Sequence, residues 1–466
     1  MGHAYTSVLC DVLVRYHRLL GENAYLLTGV DENASKIAEA AEAAGKSVAD
    51  FLDAQAVVFQ TFYGDLDVSL NRFVRTTDVS SHHAAAIALW KRLEAAGAIY
   101  KGEYEGLYCT GCESFKTEKE LDADGTCPDH GKQPEHIKEE NYFFKLSAYG
   151  DAIKEKIESG EFRIEPASRR KEILSVIDQG LADVSFSRPK EIVPHAIPVP
   201  GDDSQVMYVW CDALVSYISG LGFASEDEST FAEFWPAQYH VIGKDILRFH
   251  AAIWPGMLLA AELPLPEALF VHGMIISDGK KMSKTLGNVL DPQHFITEYG
   301  TDALRMYLAR NINPVEDSDM TEVHFKESYN AHLANGIGNL TSRIMKMIEN
   351  YEIDIEDMTF PSEYDVLDGD DVSEYHSAFK ELRVDRAADV VWGLIGFMDN
   401  YIQETKPFTV IKEDPEQATE DLLFLIERLY EVAILLRPFM PETAEKIEAA
   451  IESGKAPEEA LFLRRE

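Results

Sequence analysis

Between Tyr5 and Ala96 the apolar residues fall into a helix, a strand, two helices, a strand and a helix, and that order leaves few architectures open. Val8, Leu9, Val12, Leu13, Tyr16, Leu19 and Leu20 share one helical face, and Gly21 stops it. Tyr25-Leu26-Leu27-Thr28-Gly29 reads as a short buried strand, followed by helices over Ser35 to Ala44 and Val48 to Tyr63. Arg72-Phe73-Val74-Arg75-Thr76 reads as a second strand, and His82 to Ala96 as a helix closed by Gly97. Strands separated by helices predict a parallel sheet. A doubly wound half of such a sheet opens on its central strand, whereas this chain opens on a helix. A later strand, Tyr239-His240-Val241-Ile242, would then share no neighbour with the strand near 25, and buried backbone groups would go unpaired. One strand is therefore expected ahead of Met1.

The second constraint is a loop. Leu269 to Ile276 has the pattern of one buried strand, and beyond it Lys280, Lys281 and Lys284 fall within five residues, between Gly279 and Gly287. Ammonium groups on long stems suit a polyphosphate whose charge moves during reaction, and ligands of open α/β sheets bind at strand ends. The rest of the chain is acidic, with 81 acidic against 43 basic residues and a net charge of -38 over 466 residues. That balance excludes a broad basic face for nucleic acid, so any RNA contact must be local. No run of 18 apolar residues occurs, which excludes a membrane-spanning helix and makes a cytoplasmic protein the expectation.

Three of the five cysteines lie between 109 and 127. Cys109-Thr-Gly-Cys112 and Cys127-Pro-Asp-His130, with 14 residues between the pairs, have the spacing of a closed four-ligand zinc knuckle. Farther on, Trp210, Ala213 and Tyr217 share a face of a helix expected from Tyr208 to Tyr217, and Ile246, Phe249 and His250 fall at i, i+3 and i+4. Beyond 330 helical periodicity dominates, at about 330 to 349, 373 to 404, 419 to 437 and 441 to 453, which predicts a helix bundle.

These segments carry a resemblance. Lys281-Met282-Ser283-Lys284-Thr285 resembles the KMSKS loop of class I aminoacyl-tRNA synthetases, and Met1-Gly2-His3 the end of their HIGH motif, at the start of the first helix. Thr28-Gly29-Val30-Asp31-Glu32-Asn33 resembles their Thr-Gly-Thr-Asp-Glu-His segment, with Asn33 and Ala34 replacing His-Gly. The knuckle, its flanks Tyr104 to Tyr108 and Glu140 to Leu146, and the segment from Tyr208 to Tyr217 are similar to methionyl-tRNA synthetases in particular.

The resemblance implies an α/β fold with a Rossmann-type parallel sheet, a zinc-binding connective insertion and a C-terminal all-α bundle. The expected domains are residues 1–97 and 207–272 for the catalytic halves, 98–206 for the insertion, 273–328 for the lysine loop and stem contacts, and 329–466 for anticodon binding. It implies ATP-dependent activation of methionine and transfer to tRNA, with Mg2+ assisting and zinc structural, in a monomer. Gly2, His3, Lys281 and Lys284 would hold ATP, the last three as catalytic groups. Asp31, Arg188, Trp210, Ala213, Tyr217, Ile246, Phe249 and His250 would bind methionine. Asn339, Arg343 and Phe408 would meet the anticodon, Phe408 standing where tryptophan is usual. Cys109, Cys112, Cys127 and His130 would hold the metal. Two rivals stay open here: another class I synthetase, and a truncated, inactive paralogue that binds RNA or a protein partner.

Overall fold

The computed structural model describes all of the chain except residues 110–113, 117, 129–130, 283–286, 356–357 and 370–371. It forms two compact units, one of residues 1–26, 62–69 and 272–466, the other of residues 27–61 and 70–271.

The second unit holds the parallel pairs near residues 27 and 268. Leu27–Val30 pairs with Arg72–Arg75, Leu27 opposite Arg72 and Val30 opposite Arg75. Gly29 is required there, because a Cβ would sit 2.3 Å from the Val74 carbonyl oxygen. A separate sheet orders Tyr239–Gly243, Ala268–His272 and Arg163–Glu165, the last two parallel. Among the described residues no strand links these two ladders. Ile99–Cys109 and Glu135–Phe144 form a long antiparallel ribbon, Ile99 opposite Phe144 and Tyr108 opposite Glu135. Phe144 packs on Phe186 with ring centroids 4.9 Å apart and so anchors the base of the ribbon in the core.

The first unit begins with the helix Gly2–Leu19, which buries Tyr5, Val8, Leu9, Val12, Leu13 and Tyr16 as its periodicity predicts. Its other helices include Thr301–Arg310, Asn339–Asn350, Ser373–Lys380, Val384–Thr405, Pro415–Leu436 and Pro441–Ser453. Helix Pro415–Leu436 buries Leu422, Leu425, Ile426, Leu429 and Val432 on one face, the stripe that a bundle core needs.

Four expected elements are broken. The strand read from Leu269 to Ile276 is two, Ala268–His272 and Ile275–Ser277. At Gly273 a Cβ would meet the Glu316 carbonyl oxygen at 2.1 Å, and that backbone crossing separates them. The single helix expected from Tyr208 to Tyr217 is Val209–Ala213 and Ser216–Ser219. Helix 373–404 is interrupted by Leu382, whose φ of 57° ends the first piece and is held by complete burial of its side chain. The segment 330–349 is π-helical over Tyr329–Gly338, with Gly336 at φ -88°, ψ -113°, before the α-helix Asn339–Asn350.

Candidate active site

In the second unit, strand Leu27–Val30 runs out into the turn Asp31-Glu32-Asn33. Asp31 is exposed and its Oδ1 accepts the Asn33 backbone N–H at 3.2 Å, which closes an Asx turn. Trp210 lies in the helix Val209–Ala213, with Ala213 at its end, and Tyr217 in the next short helix. After strand Tyr239–Gly243 the chain turns through a 3-10 turn, Lys244–Ile246, and a π-helical stretch, Phe249–Ile253. Such π stretches often accompany functional sites.

These pieces build one aromatic wall. Trp210 and Phe249 stack with centroids 3.8 Å apart and 14° between planes, and the His250 ring stands edge-on to Trp210 at 6.4 Å. His250 Nδ1 bonds the Ile246 carbonyl at 3.0 Å, so it carries the proton, and Nε2 accepts the Tyr217 hydroxyl at 2.7 Å. Burial drives the His250 pKa down to about 4, against the Ile246 bond and Asp245, which raise it. His240, 4.1 Å from the Tyr217 ring, falls to about 3 through burial and the neighbouring His250. Both imidazoles are therefore neutral at neutral pH, and the wall is apolar apart from one oriented hydroxyl–imidazole bond. A slot of this kind accepts a flexible thioether, since sulfur packs well at ring edges.

Arg188 is buried in strand Ser187–Pro189. Its Nη1 donates to Ser185 Oγ and to the Ser187 carbonyl, both at 2.8 Å, and its guanidinium lies 4.3 Å above the Tyr208 ring. It thus braces the approach to the helix that carries Trp210.

His3 and Lys281 belong to the first unit. His3 is exposed in the first turn of Gly2–Leu19, and a Cβ on Gly2 would meet nothing within 4 Å. The start is fixed by Thr6 Oγ1, 2.8 Å from His272 Nε2, while His272 Nδ1 donates to the Gly273 carbonyl at 2.7 Å. Lys280–Lys281 is an edge strand paired with Ile275–Ser277 across Asp278 and Gly279, whose φ of 55° and 69° suit a tight hairpin turn. The loop is therefore presented by a hairpin rather than by the end of one long strand. Lys281 is exposed at the end of this strand, and Lys284 lies outside the described residues.

Asn339 is exposed at the start of helix Asn339–Asn350, and Arg343 one turn on gives Nη1 to Asp399 Oδ1 at 2.9 Å. Phe408 is 41% exposed in the short helix Pro407–Val410, enough ring face for a base to stack on. Of the expected metal ligands, Cys109 and Cys127 are buried, while Cys112 and His130 lie outside the described residues. Among the described residues no group of three or more His, Cys, Asp or Glu side chains is placed to hold a metal.

Sequence reasoning missed the groups that hold these segments. Glu32 is buried against Arg75, whose Nε reaches its carboxylate at 3.0 and 3.2 Å. Asp212 is completely buried and bonded to His82 and Asn33. The available signal was a carboxylate set inside apolar runs, as in Val209-Trp210-Cys211-Asp212-Ala213-Leu214.

The parallel strands, the lysine hairpin and the helical C-terminal bundle together define a class I aminoacyl-tRNA synthetase. The family model described as "tRNA synthetases class I (M)" matches residues 1–134 and 129–345, and "Anticodon binding domain of methionyl tRNA ligase" matches 365–460. A methionine–tRNA ligase of Clostridium acetobutylicum is 41% identical over 468 residues, covering 97% of this chain and 71% of that one. One of Caldanaerobacter subterraneus is 39% identical over 459 residues, covering 96% of this chain and 70% of that one. Mycobacterium tuberculosis methionyl-tRNA synthetase in complex with methionyl-adenylate superposes with a TM-score of 0.89 at 34% identity, over 96% of this chain and 90% of that one. The chain belongs to the methionyl-tRNA synthetase family.

Proposed function

We propose that this chain works as a methionine–tRNA ligase through the residues described above, joining methionine to ATP with release of pyrophosphate and then passing the methionyl group to tRNA. The observation that carries the reading is the neutral His250–Tyr217 pair beside the Trp210–Phe249 stack. Trp210, Phe249 and Tyr217, with Ala213 and Ile246, would enclose the methionine side chain, and Asp31 would hold its ammonium. Arg188 supports this slot through Tyr208. Lys281 and Lys284 would neutralise the phosphates as pyrophosphate leaves, His3 and Gly2 would meet ATP at the helix start, and Mg2+ would share the charge. The monomer is expected to act in the cytoplasm, where translation occurs, and among the described residues no helix is long and apolar enough to cross a membrane. We assign this division of labour to the domains expected from the sequence.

Anticodon reading rests on Asn339, Arg343 and Phe408. Charging by the purified chain should fall at least about a hundredfold when the anticodon of a methionine-accepting tRNA is exchanged, the scale of two lost base contacts. Equal charging of both transcripts would remove these residues from recognition.

The donor set fits structural zinc: two buried thiols, Cys109 at the end of strand Ile99–Cys109 and Cys127 ahead of strand Glu135–Phe144, with the other two donors at the sequence spacing of a four-ligand site. Zinc bound by Cys109, Cys112, Cys127 and His130 would fix the fold of this insertion and supply no chemistry. Metal analysis is expected to find about one zinc per chain, abolished by Cys112→Ser. A metal-free, fully folded protein would contradict the assignment.

A further inference from the structure

The turn that presents Asp31 is tied down at two places. On one side Glu32 donates its backbone N–H to Thr76 Oγ1 at 2.8 Å, and its carboxylate takes Arg75 and the Thr77 hydroxyl. On the other, Asn33 Nδ2 donates to Asp212 Oδ2 at 2.7 Å and to the Thr76 carbonyl at 3.3 Å. Both of these neighbours are acceptors, which fixes the orientation of the amide. Asp212 Oδ1 meets His82 Nε2 at 2.9 Å, and His82 Nδ1 meets Ser219 Oγ at 2.9 Å. Asp212, His82 and Asn33 are at most 2% exposed.

A carboxylate buried to this degree is costly unless fully bonded, and packing alone would be served by an apolar side chain at the same place. What the carboxylate adds is geometry. It sits in helix Val209–Ala213, between Trp210 and Ala213, and its free oxygen reaches across to the turn that begins at Asp31. We propose that Asp212 is a positioning residue of the methionine pocket, fixing through Asn33 the turn that presents Asp31 while its own helix holds Trp210 and Ala213 in register with that turn. Asn33, which departs from the family's histidine, keeps the donor that this bond requires. The proposal rests on the pocket reading given above.

The test is methionine-dependent ATP–pyrophosphate exchange on the full chain, with KM measured separately for methionine and ATP. Asn33→Ala and Asp212→Asn should each raise KM for methionine about tenfold or more, the scale of one hydrogen bond to a charged group, with KM for ATP changed less than about twofold. The double variant Asn33→Asp/Asp212→Asn restores a carboxamide-to-carboxylate bond in the opposite sense but leaves the Thr76 carbonyl without its donor, and should regain part of the loss. Asn33→Ala and the double variant decide the matter if Asp212→Asn alone fails to fold. Unchanged KM for methionine, or equal rises in both KM values, would overturn the positioning role. Asp31→Asn separates the two readings: if it raises KM for methionine while the other variants do not, only the role of Asp212 falls. If Asp31→Asn is silent too, the pocket assignment falls with it.

Discussion

Replacing Lys284 with alanine is expected to slow methionyl-adenylate formation by about 10² to 10³, the usual cost of removing one group that stabilises charge developing in a transition state. Methionine affinity should hardly move, because the wall formed by Trp210, Phe249, His250 and Tyr217 lies wholly within residues 27–61 and 70–271 and needs no lysine. Lys281 lies in the second strand of a hairpin whose turn, Asp278-Gly279, has positive φ at both residues, and it is exposed there. An ammonium in such a loop acts as a movable point charge, so Lys284→Arg should rescue the rate only in part, its planar fork being suited to fixed bidentate contacts. Single-turnover kinetics and tryptophan fluorescence titration with methionine read the two quantities separately. An unchanged rate in Lys284→Ala would take this residue out of the mechanism.

The second large effect concerns stability, at the Asp11–Arg305 pair. Both side chains are completely buried, with Arg305 Nη2 2.7 Å from Asp11 Oδ2. Arg305 also serves four carbonyls: Phe439 at 3.0 Å, Leu66 at 3.0 Å, Asp67 at 3.3 Å and Pro438 at 2.9 Å. Asp11 in turn accepts Arg15 Nε at 2.7 Å and the Ser69 N–H and hydroxyl at 2.7 and 2.6 Å. One charge pair thus ties the opening helix, the segment 62–69, helix Thr301–Arg310 and the turn before Pro441.

Arg305→Met leaves the Asp11 carboxylate short of its main partner and four carbonyls short of a donor, and should destabilise this unit by about 3 to 5 kcal/mol. The double variant Asp11→Leu/Arg305→Met should lose less than Arg305→Met alone, since no buried charge is left over. Urea unfolding followed by circular dichroism measures both. A loss under about 1 kcal/mol in Arg305→Met would show that the pair is incidental.

The same network has a pH signature. Burial alone would raise the Asp11 pKa, but Arg305, Arg15 and the Ser69 bonds hold it below the usual carboxylate value. Its contribution is therefore complete above about pH 4 and is lost as the pH falls through the lowered pKa.

The folded elements were legible where one physical rule acted alone. The opening helix, the strand pair near 27 and 72 and the helix Pro415–Leu436 follow from apolar period, since each has one buried face and a clear stop. Period failed where backbone from elsewhere in the chain intrudes. Nothing within Leu269 to Ile276 announces that Glu316 will press on Gly273, and nothing local makes Leu382 the residue that turns left-handed. The π-helical stretches at Phe249 and Tyr329 share the apolar spacing of α-helices and so looked the same.

At the candidate site, residues with distinctive chemistry could be read: lysines in an acidic chain, aromatic residues at helical spacing, paired cysteines. The residues that orient them could not. Apart from Arg15 beside Asp11, Asp11, Glu32 and Asp212 take partners from 43 to 294 positions away, and a single sequence carries no sign of which distant donor each will meet. His82 is the sharpest case, because it stands beside His83 in a helix start and only the fold sets it against Asp212 and Ser219.

The most direct measurement of the central claim is ATP–pyrophosphate exchange by the purified chain with each of the twenty standard amino acids in turn. A neutral aromatic wall with one oriented hydroxyl–imidazole bond predicts exchange with methionine alone, at least about a hundredfold above leucine, isoleucine, valine and cysteine, more than one methylene-sized difference usually gives. Equal exchange with another of these amino acids would contradict the pocket, and no exchange with any of them would contradict the assignment of the chain as an active ligase.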